Sequence, residues 1–391
     1  MYVDREIKRK FDKLCNTYKV LVVVGARQAG KTTFLKEKIK NIKSSYLLFD
    51  DPDVRGIFEE DIKKFEKQYI TKHDTTVLDE VQYCKDAGIK LKYLAEKGHK
   101  LWITSSSEII LGKNVLAYLV GRVAILRMYP FSLNEYLVAK NQKESTAAIL
   151  KRSVWEHILY GGYPQIVLEN DFETKKIMLK NLYDTMILKD IANTFSIENT
   201  RSLEEFTRYL SYNIGNVLSY ESLSKAMSLS FQTVKKYLDA MEKSYLIIQV
   251  HPFFTNKLKE IIKQPKVYFI DTGLRNIIAK SFSAEPDGKL FENYVLSELI
   301  KSDLTPKYWR TKSKAEVDFV IEKDNEIMPI EIKLSAEIGK IGKSMRAFID
   351  AYNPKRAFVV SYNGINDEMK VNGCKIIFIG IHKIKERLFN E

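Results

Sequence analysis

Residues 20–33 read VLVVVGARQAGKTT, and the reading of this stretch decides the fold around it. Val20 to Val24 is an apolar, largely β-branched run of strand character. Gly25, the four residues Ala26, Arg27, Gln28 and Ala29, then Gly30, Lys31 and Thr32 complete the pattern G-x-x-x-x-G-K-[ST]. Phe34 to Lys40 is compatible with a helix. Strand, glycine-flanked loop and helix in that order let successive backbone N–H groups close around a phosphate at a helix N-terminus. On this reading Gly25 to Thr33 hold phosphates, Lys31 reaches the β- and γ-phosphates, and the Thr32 hydroxyl ligates Mg²⁺.

Four further runs extend the pattern. Tyr46 to Phe49 is a second strand, stopped by Asp50-Asp51-Pro52. Thr75 to Val81, TTVLDEV, is a third, with two acids at its end. Asp79 is placed to hold Mg²⁺, directly or through water, and Glu80 to polarise the attacking water. The fourth, KLWITSSS over Lys100 to Ser107, ends in hydroxyls, and Thr104 to Ser106 are candidates to report the γ-phosphate. A helical segment from Val115 to Leu119, Gly121-Arg122 and a fifth strand from Val123 to Met128 follow.

With 391 residues the chain has room for two or three domains, and 45% hydrophobic residues are enough to fill their cores. Sixty-three Lys and Arg against 50 Asp and Glu give a formal charge of +13, which favours an acidic partner, nucleic acid before membrane. Cys15, Cys84 and Cys374 lie far apart without a C-x-x-C pair, so neither a disulfide framework nor a zinc ribbon is expected and a reducing cytoplasm fits. The N-terminus, MYVDREIKRK, lacks the apolar core of a signal peptide, and no run reaches spanning length.

From Lys140 to Thr200 the pattern is helical, broken at Gly161-Gly162 and Pro164. The spacing then predicts helices over Leu203–Tyr212, Tyr220–Met227 and Phe231–Lys243, the last N-capped by Ser230 with Val234, Leu238 and Met241 on one stripe. A strand over Tyr245–Val250 would form a wing. Short helix, turn and longer helix make a helix-turn-helix arrangement, with Gln232, Thr233, Lys235 and Lys236 available to phosphates or base edges, or to protein contacts.

Past Pro265 the expected order is strand (Val267–Ile270), short helix, a loop over Ser281–Gly288, helix (Leu290–Ile300), three strands, helix (Ile341–Tyr352) and strands at Ala357–Ser361 and Lys375–Ile379. If Asp324-Asn325 form a two-residue turn, paired residues sum to 649 and Asp318 faces Glu331, with Lys333 on the same face. Val317, Phe319, Ile321, Ile330, Ile332 and Leu334 would form the opposite, apolar face. Opposed carboxylates repel unless a cation or a buried proton joins them, so Asp318 and Glu331 are candidate metal ligands and Lys333 a candidate to activate water.

The series GARQAGKTT, VLDEVQ, ITSSS, LVGRVAILRMYPFSLNEYL, YGGYPQIVL and KVYFIDTGLRN resembles the AAA-type P-loop ATPases of bacteria and archaea that carry a largely uncharacterised C-terminal region. That resemblance implies ATP as ligand with Mg²⁺, slow hydrolysis and assembly into homo-oligomers. In ring-forming ATPases the position of Arg122 sends an arginine across the interface to the neighbour's nucleotide; otherwise Arg122 is a surface residue. The C-terminal order, with Asp318 and Glu331-Ile332-Lys333, is similar to the PD-(D/E)xK nuclease fold. Glu292 matches an additional acid of that fold, and Val317 stands where its name has proline.

The expected architecture is α/β. An AAA-type P-loop ATPase domain (1–140), a parallel sheet with flanking helices, precedes a helical and winged-helix middle (141–255). A restriction-endonuclease-like α/β domain (256–391) completes it. The functional expectation is an ATPase whose nucleotide state controls a DNA-binding, metal-dependent nuclease region. The alternative is a nucleotide switch whose nuclease-like domain only holds nucleic acid or protein.

Overall fold

The computed structural model describes residues 2–142, 146–256, 258, 260, 263–283, 285 and 287–389, with Ile109, Lys113 and Lys189 described by backbone alone. Ala284 and Pro286 of the expected 281–288 loop lie outside the described residues. Among the described residues no helix is long and apolar enough to cross a membrane.

Five strands form the first sheet: β1 (Val20–Gly25), β2 (Ser44–Leu48), β3 (Thr75–Asp79), β4 (Leu101–Ser105) and β5 (Val123–Met128), in spatial order β2-β3-β4-β1-β5. Every pairing is parallel. A parallel sheet has both faces covered, and Val20 to Val24 are fully buried for that reason. The helices of this part are α1 (Lys8–Leu14), α2 (Lys31–Ile39), α3 (Pro52–Glu60), α4 (Ile62–Phe65), α5 (Ala87–Glu96) and α6 (Glu108–Asn114). The helical segment expected over Val115–Leu119 is a 3-10 turn, Leu116–Tyr118, and α6 precedes it, capped by the Ser107 side chain accepting from the Ile110 N–H. With β1 between β4 and β5, the carboxyl ends of β1, β3 and β4 open onto one crevice.

The middle segment carries α7 (Leu133–Ala139), α8 (Ala147–Tyr160), α9 (Pro164–Leu168) and α10 (Phe172–Thr185), which runs into a π-helical stretch, Met186–Asn193. Then come α11 (Thr200–Tyr212), α12 (Tyr220–Met227) and α13 (Phe231–Lys243). Ser230 caps α13, and Val234, Leu238 and Met241 are buried on its inner stripe. Strand β6 (Ile247–Val250) starts two residues later than expected, after Tyr245 turns the chain with φ 61°. It pairs antiparallel with β7 (Lys266–Phe269), and Val217 bridges to Lys266. A division at 255/256 would therefore cut this hairpin, and β7 packs with the middle segment.

Two sequence motifs meet here. Asp271 caps α14 (Thr272–Ala279) through the Leu274 N–H and accepts from the Gly162 N–H at 2.8 Å. A Cβ on Gly161 would lie 2.0 Å from Asp271 Oδ1, and one on Gly273 would lie 2.3 Å from the Tyr160 carbonyl. Asn276 closes the junction by donating to the carbonyls of Ile158 and Leu159. The glycines of YGGYP and DTG thus serve close approach between α8 and α14.

The C-terminal part contains α15 (Gly288–Lys301), β8 (Lys307–Arg310), β9 (Glu316–Lys323), β10 (Glu326–Lys333), α16 (Lys343–Tyr352), β11 (Arg356–Ser361), β12 (Asp367–Val371), β13 (Cys374–Gly380) and α17 (Ile384–Phe389). Its sheet runs β12-β13-β11-β10-β9-β8. The helix, three strands, helix and strand of the expected order are all present. Asp324 and Asn325 both have positive φ, as a two-residue hairpin turn requires, and Glu326↔Lys323 through Ile330↔Phe319 keep the 649 register.

The hairpin's faces differ from expectation. Between Lys307↔Val320 and Trp309↔Val317, one residue of β8, Tyr308, opposes two of β9, Asp318 and Phe319, which is a β-bulge. Side-chain parity changes at the bulge. Val317 packs with Val320 in the core that includes Met345 and Phe348 of α16, while Phe319 and Ile321 join the core around α15. Both faces are therefore covered, and the ladder stops one pair short of Asp318 and Glu331.

Gly161→Ala tests the α8–α14 junction. A methyl group against Asp271, on backbone with φ 75°, is expected to cost about 2–3 kcal/mol in urea unfolding.

Candidate functional site

The 25–32 loop joins β1 to α2 with the geometry a phosphate loop needs. A Cβ on Gly25 would lie 1.9 Å from the Met128 carbonyl of β5, so no side chain fits where the loop leaves the sheet. Gln28 and Gly30 have φ of 59° and 96°, which winds the loop tightly before α2 begins. Lys31 turns back over it, donating at 2.9 Å to the carbonyls of Gly25 and Ala26. Burial pushes its amine below the ordinary lysine range, while Glu80 and Asp79 pull it up.

Asp79 is the centre of the crevice. Its Oδ2 accepts from Thr32 Oγ1 at 2.9 Å and from the Tyr46 hydroxyl, and its Oδ1 accepts from Thr104 Oγ1. One carboxylate thus collects hydroxyls from α2, β2 and β4. Burial, followed by the bond to Asp79, holds the Tyr46 phenol well above its usual range. Glu80 takes left-handed backbone, φ 61°, and its N–H donates to Thr104 Oγ1 at 3.3 Å. Its Oε2 accepts from Gln82 Nε2 at 2.5 Å and from Ser106 Oγ at 3.1 Å. Thr104 and Ser106 therefore both contact the acid pair, whereas Ser105 Oγ bonds the Ser107 carbonyl instead.

The other expected residues divide. Gly25, Ala26, Ala29 and Lys31 are buried in or under the loop, Arg27, Gly30 and Thr32 are partly exposed, and Gln28 and Thr33 are exposed. Arg122 precedes β5 at the sheet end where Val123 pairs with Val20, the far end of β1 from the loop. A six-residue strand separates them, roughly 17 Å, so Arg122 does not serve its own chain's loop. It is half-exposed and pairs with Glu96 at 3.3 Å.

Sequence reading missed Tyr46, Asp190 and Arg5. Asp190, on the π-helical stretch, comes within 3.8 Å of Arg27 of the loop. Its own backbone carbonyl accepts from Ser244, immediately after α13. Only its place in a long helical tract marked it beforehand. Arg5 donates to the Ala29 carbonyl of the loop.

Residues 17–137 match a family model described as an AAA domain. This part of the chain is an AAA-type P-loop domain. Residues 151–285 and 287–382 match two models described as domains of unknown function. The chain is 28% identical over 327 residues to an uncharacterized protein of Methanocaldococcus jannaschii, covering 79% of this chain and 73% of that one. It is 23% identical over 337 residues to an uncharacterized protein of Haemophilus influenzae, covering 80% and 82%. Among solved structures the Walker-type ATPase of Pyrococcus abyssi superposes with a TM-score of 0.50 at 13% identity, covering 71% of this chain and 96% of that one, a likeness of fold.

The C-terminal acids are held differently. Glu292 accepts from Tyr268 at 2.5 Å and from Lys289 at 2.9 Å, and lies 3.5 Å from Lys266. Lys266, only 1% exposed, also donates to Glu316 at 2.6 Å. A buried ammonium without an acid costs several kcal/mol, so these groups stabilise one another. Asp318 Oδ2 accepts from the Ile332 N–H at 2.8 Å, and the charges of both Glu292 and Glu331 reach its carboxyl. Glu331 is 8% exposed; Lys333 sits beside it at 2.8 Å, as parity requires, and its Oε2 is buried without a hydrogen-bond partner. Among the described residues no three His, Cys, Asp or Glu side chains are grouped to hold a metal ion.

Burial, then the charge of Glu292, push the Asp318 carboxyl up to about 7, against an unfolded value near 4. A raised carboxyl binds its proton more readily in the folded state, so folding stability falls as pH rises from about 4 to about 7. The slope reaches about 1.4 kcal/mol per pH unit at most. In EDTA, Asp318→Asn, which keeps an oxygen for the Ile332 N–H, should flatten urea-unfolding stability across pH 5 to 8 relative to wild type.

Proposed function

We propose that the chain binds and hydrolyses ATP and that its nucleotide state sets the arrangement of the middle and C-terminal segments, which hold an acidic macromolecular partner, DNA before protein. The convergence of Thr32, Tyr46 and Thr104 on Asp79, beside Glu80, carries the reading. The N–H groups from Ala26 to Thr32 would bind the phosphates at the start of α2, and Lys31 would leave the Gly25 and Ala26 carbonyls for the β- and γ-oxygens. The hydroxyl of Thr32 and the carboxylate of Asp79, 2.9 Å apart, form a hard-oxygen pair suited to Mg²⁺. When bound, that ion supplies charge neutralisation of the phosphates. Glu80 would orient the attacking water, held by Ser106 and Gln82 until substrate arrives.

Nucleotide occupancy would be felt through Arg27 and Asp190 and passed to Ser244 at the end of α13. On the outer face of α13, Gln232 and Lys235 are exposed, while Lys236 donates to the Ser196 carbonyl. With a charge of +13, contacts there would be to phosphates. Arg122, exposed at the far sheet end, would act on a neighbouring copy in a homo-oligomer.

For the C-terminal segment the reading is holding over cutting, because Lys266 and Lys289 engage Glu292 and Asp318 is tied to the Ile332 N–H. One observation favours the second reading, a metal-dependent nuclease of Asp318, Glu331 and Lys333. The buried, unpartnered Glu331 Oε2 borders a pocket of about 170 Å³ that Lys333 and Lys340 also line.

Lys31→Ala is expected to abolish binding of a fluorescent ATP analogue. Glu80→Gln should bind it normally and hydrolyse ATP on the order of a hundredfold more slowly. Equal turnover in wild type and Glu80→Gln would remove Glu80 from the chemistry. Duplex and single-stranded DNA incubated with Mg²⁺ or Mn²⁺ should be bound and recovered intact; cleavage that Asp318→Ala abolishes would establish the nuclease reading instead.

A further inference from the structure

We infer that Arg5, fifteen residues before β1, is a positioning residue for the phosphate loop: its guanidinium fixes the peptide between Ala29 and Gly30 from outside. The inference rests on the ATP-site reading above. All three guanidinium nitrogens are engaged. Nη1 donates to the Ala29 carbonyl at 2.6 Å, Nη2 to the Tyr129 carbonyl at 2.6 Å, and Nε to Glu135 Oε1 at 3.0 Å. Arg5 is 7% exposed, and its guanidinium carbon lies 4.8 Å from the centre of the Phe131 ring.

The anchor is itself fixed. Glu135 Oε1 also accepts from the Glu6 N–H at 2.7 Å, and Oε2 accepts from the Ser132 N–H at 3.0 Å in the capping box of α7. The fork is thus held by the segment after β5 and points Nη1 at the loop. A Cβ on Gly30 would lie 3.3 Å from Nη1, so the guanidinium forms the loop's outer wall.

The consequence follows from peptide geometry. The bond is trans, so the Ala29 C=O and the Gly30 N–H point in opposite directions. With the carbonyl tied to Arg5, the Gly30 N–H is turned to the side away from it, where a phosphate oxygen would accept. Gly30 offers little resistance of its own to a peptide flip, since glycine tolerates either sense of φ. A flip would replace a donor by a carbonyl facing the phosphate. Arg5 supplies what the glycine lacks, and no lysine can offer three bonds from one rigid plane.

The test is nucleotide affinity measured well below each variant's own melting temperature. Arg5→Met should weaken binding of a fluorescent ATP analogue tenfold or more, and millimolar guanidinium should restore part of it by filling the vacated site. Arg5→Lys, which keeps the charge against Glu135, should bind between the two. It serves as the second variant if Arg5→Met does not fold. Affinity within twofold of wild type in a folded Arg5→Met or Arg5→Lys protein, whatever its melting temperature, would overturn the proposal alone. Wild type that binds no nucleotide would overturn the ATP-site reading and this inference together.

Discussion

The carboxylate of Asp79 is the constraint on which the nucleotide crevice depends. It stands at the end of β3 and accepts hydroxyls from Thr32, Tyr46 and Thr104. Those residues belong to α2, β2 and β4, so one side chain registers three neighbours at the same end of the sheet. A buried carboxylate needs its hydrogen bonds, and these three hydroxyls supply them, with the Lys31 amine near enough for the two charges to interact. The arrangement leaves the acid able to exchange a hydroxyl for a cation. Asp79 thereby links sheet geometry to the phosphate chemistry proposed for the loop.

The parts beyond the AAA-type domain are not loosely appended. One continuous hydrophobic cluster includes Val22 and Phe34 of the first sheet, Phe206 and Leu238 of the middle helices and Phe269 of β7. A second joins Phe131 and Tyr136 after β5 to Phe291 of α15 and Ile330 of β10. The junction of Gly161 and Gly162 with Asp271 lies between them. Shared cores transmit displacement because close-packed interiors do not deform continuously. A change at the loop therefore has a mechanical route to α13 through Asp190 and Ser244, and through Tyr245, whose hydroxyl bonds Glu108 after β4.

Most strands were legible in the sequence because each is a short apolar run ended by turn chemistry, and the loop was legible because its glycines and lysine are local. Asp79, Glu80 and Thr104 followed from their places at strand ends. The stripe on α13 and the 649 register followed from periodicity. The bulge in β9 did not, since it depends on how β8 pairs with it and leaves no residue signature near Asp318. Strand β12, DEMKV, was missed because an edge strand with alternating exposure needs no apolar run. Arg5, Tyr46 and Asp190 reach the site only through tertiary packing, and no spacing relates them to the loop. The parity argument placed Lys333 beside Glu331, while the bulge that changes side-chain parity around Asp318 had no signature in the sequence.

The central claim is that the crevice around Asp79 turns over ATP. Its most direct test is a single-turnover experiment, with the protein in excess over labelled ATP and Mg²⁺ present. The account predicts that bound ATP is converted to ADP and inorganic phosphate. ATP that binds stoichiometrically and is recovered intact would contradict it.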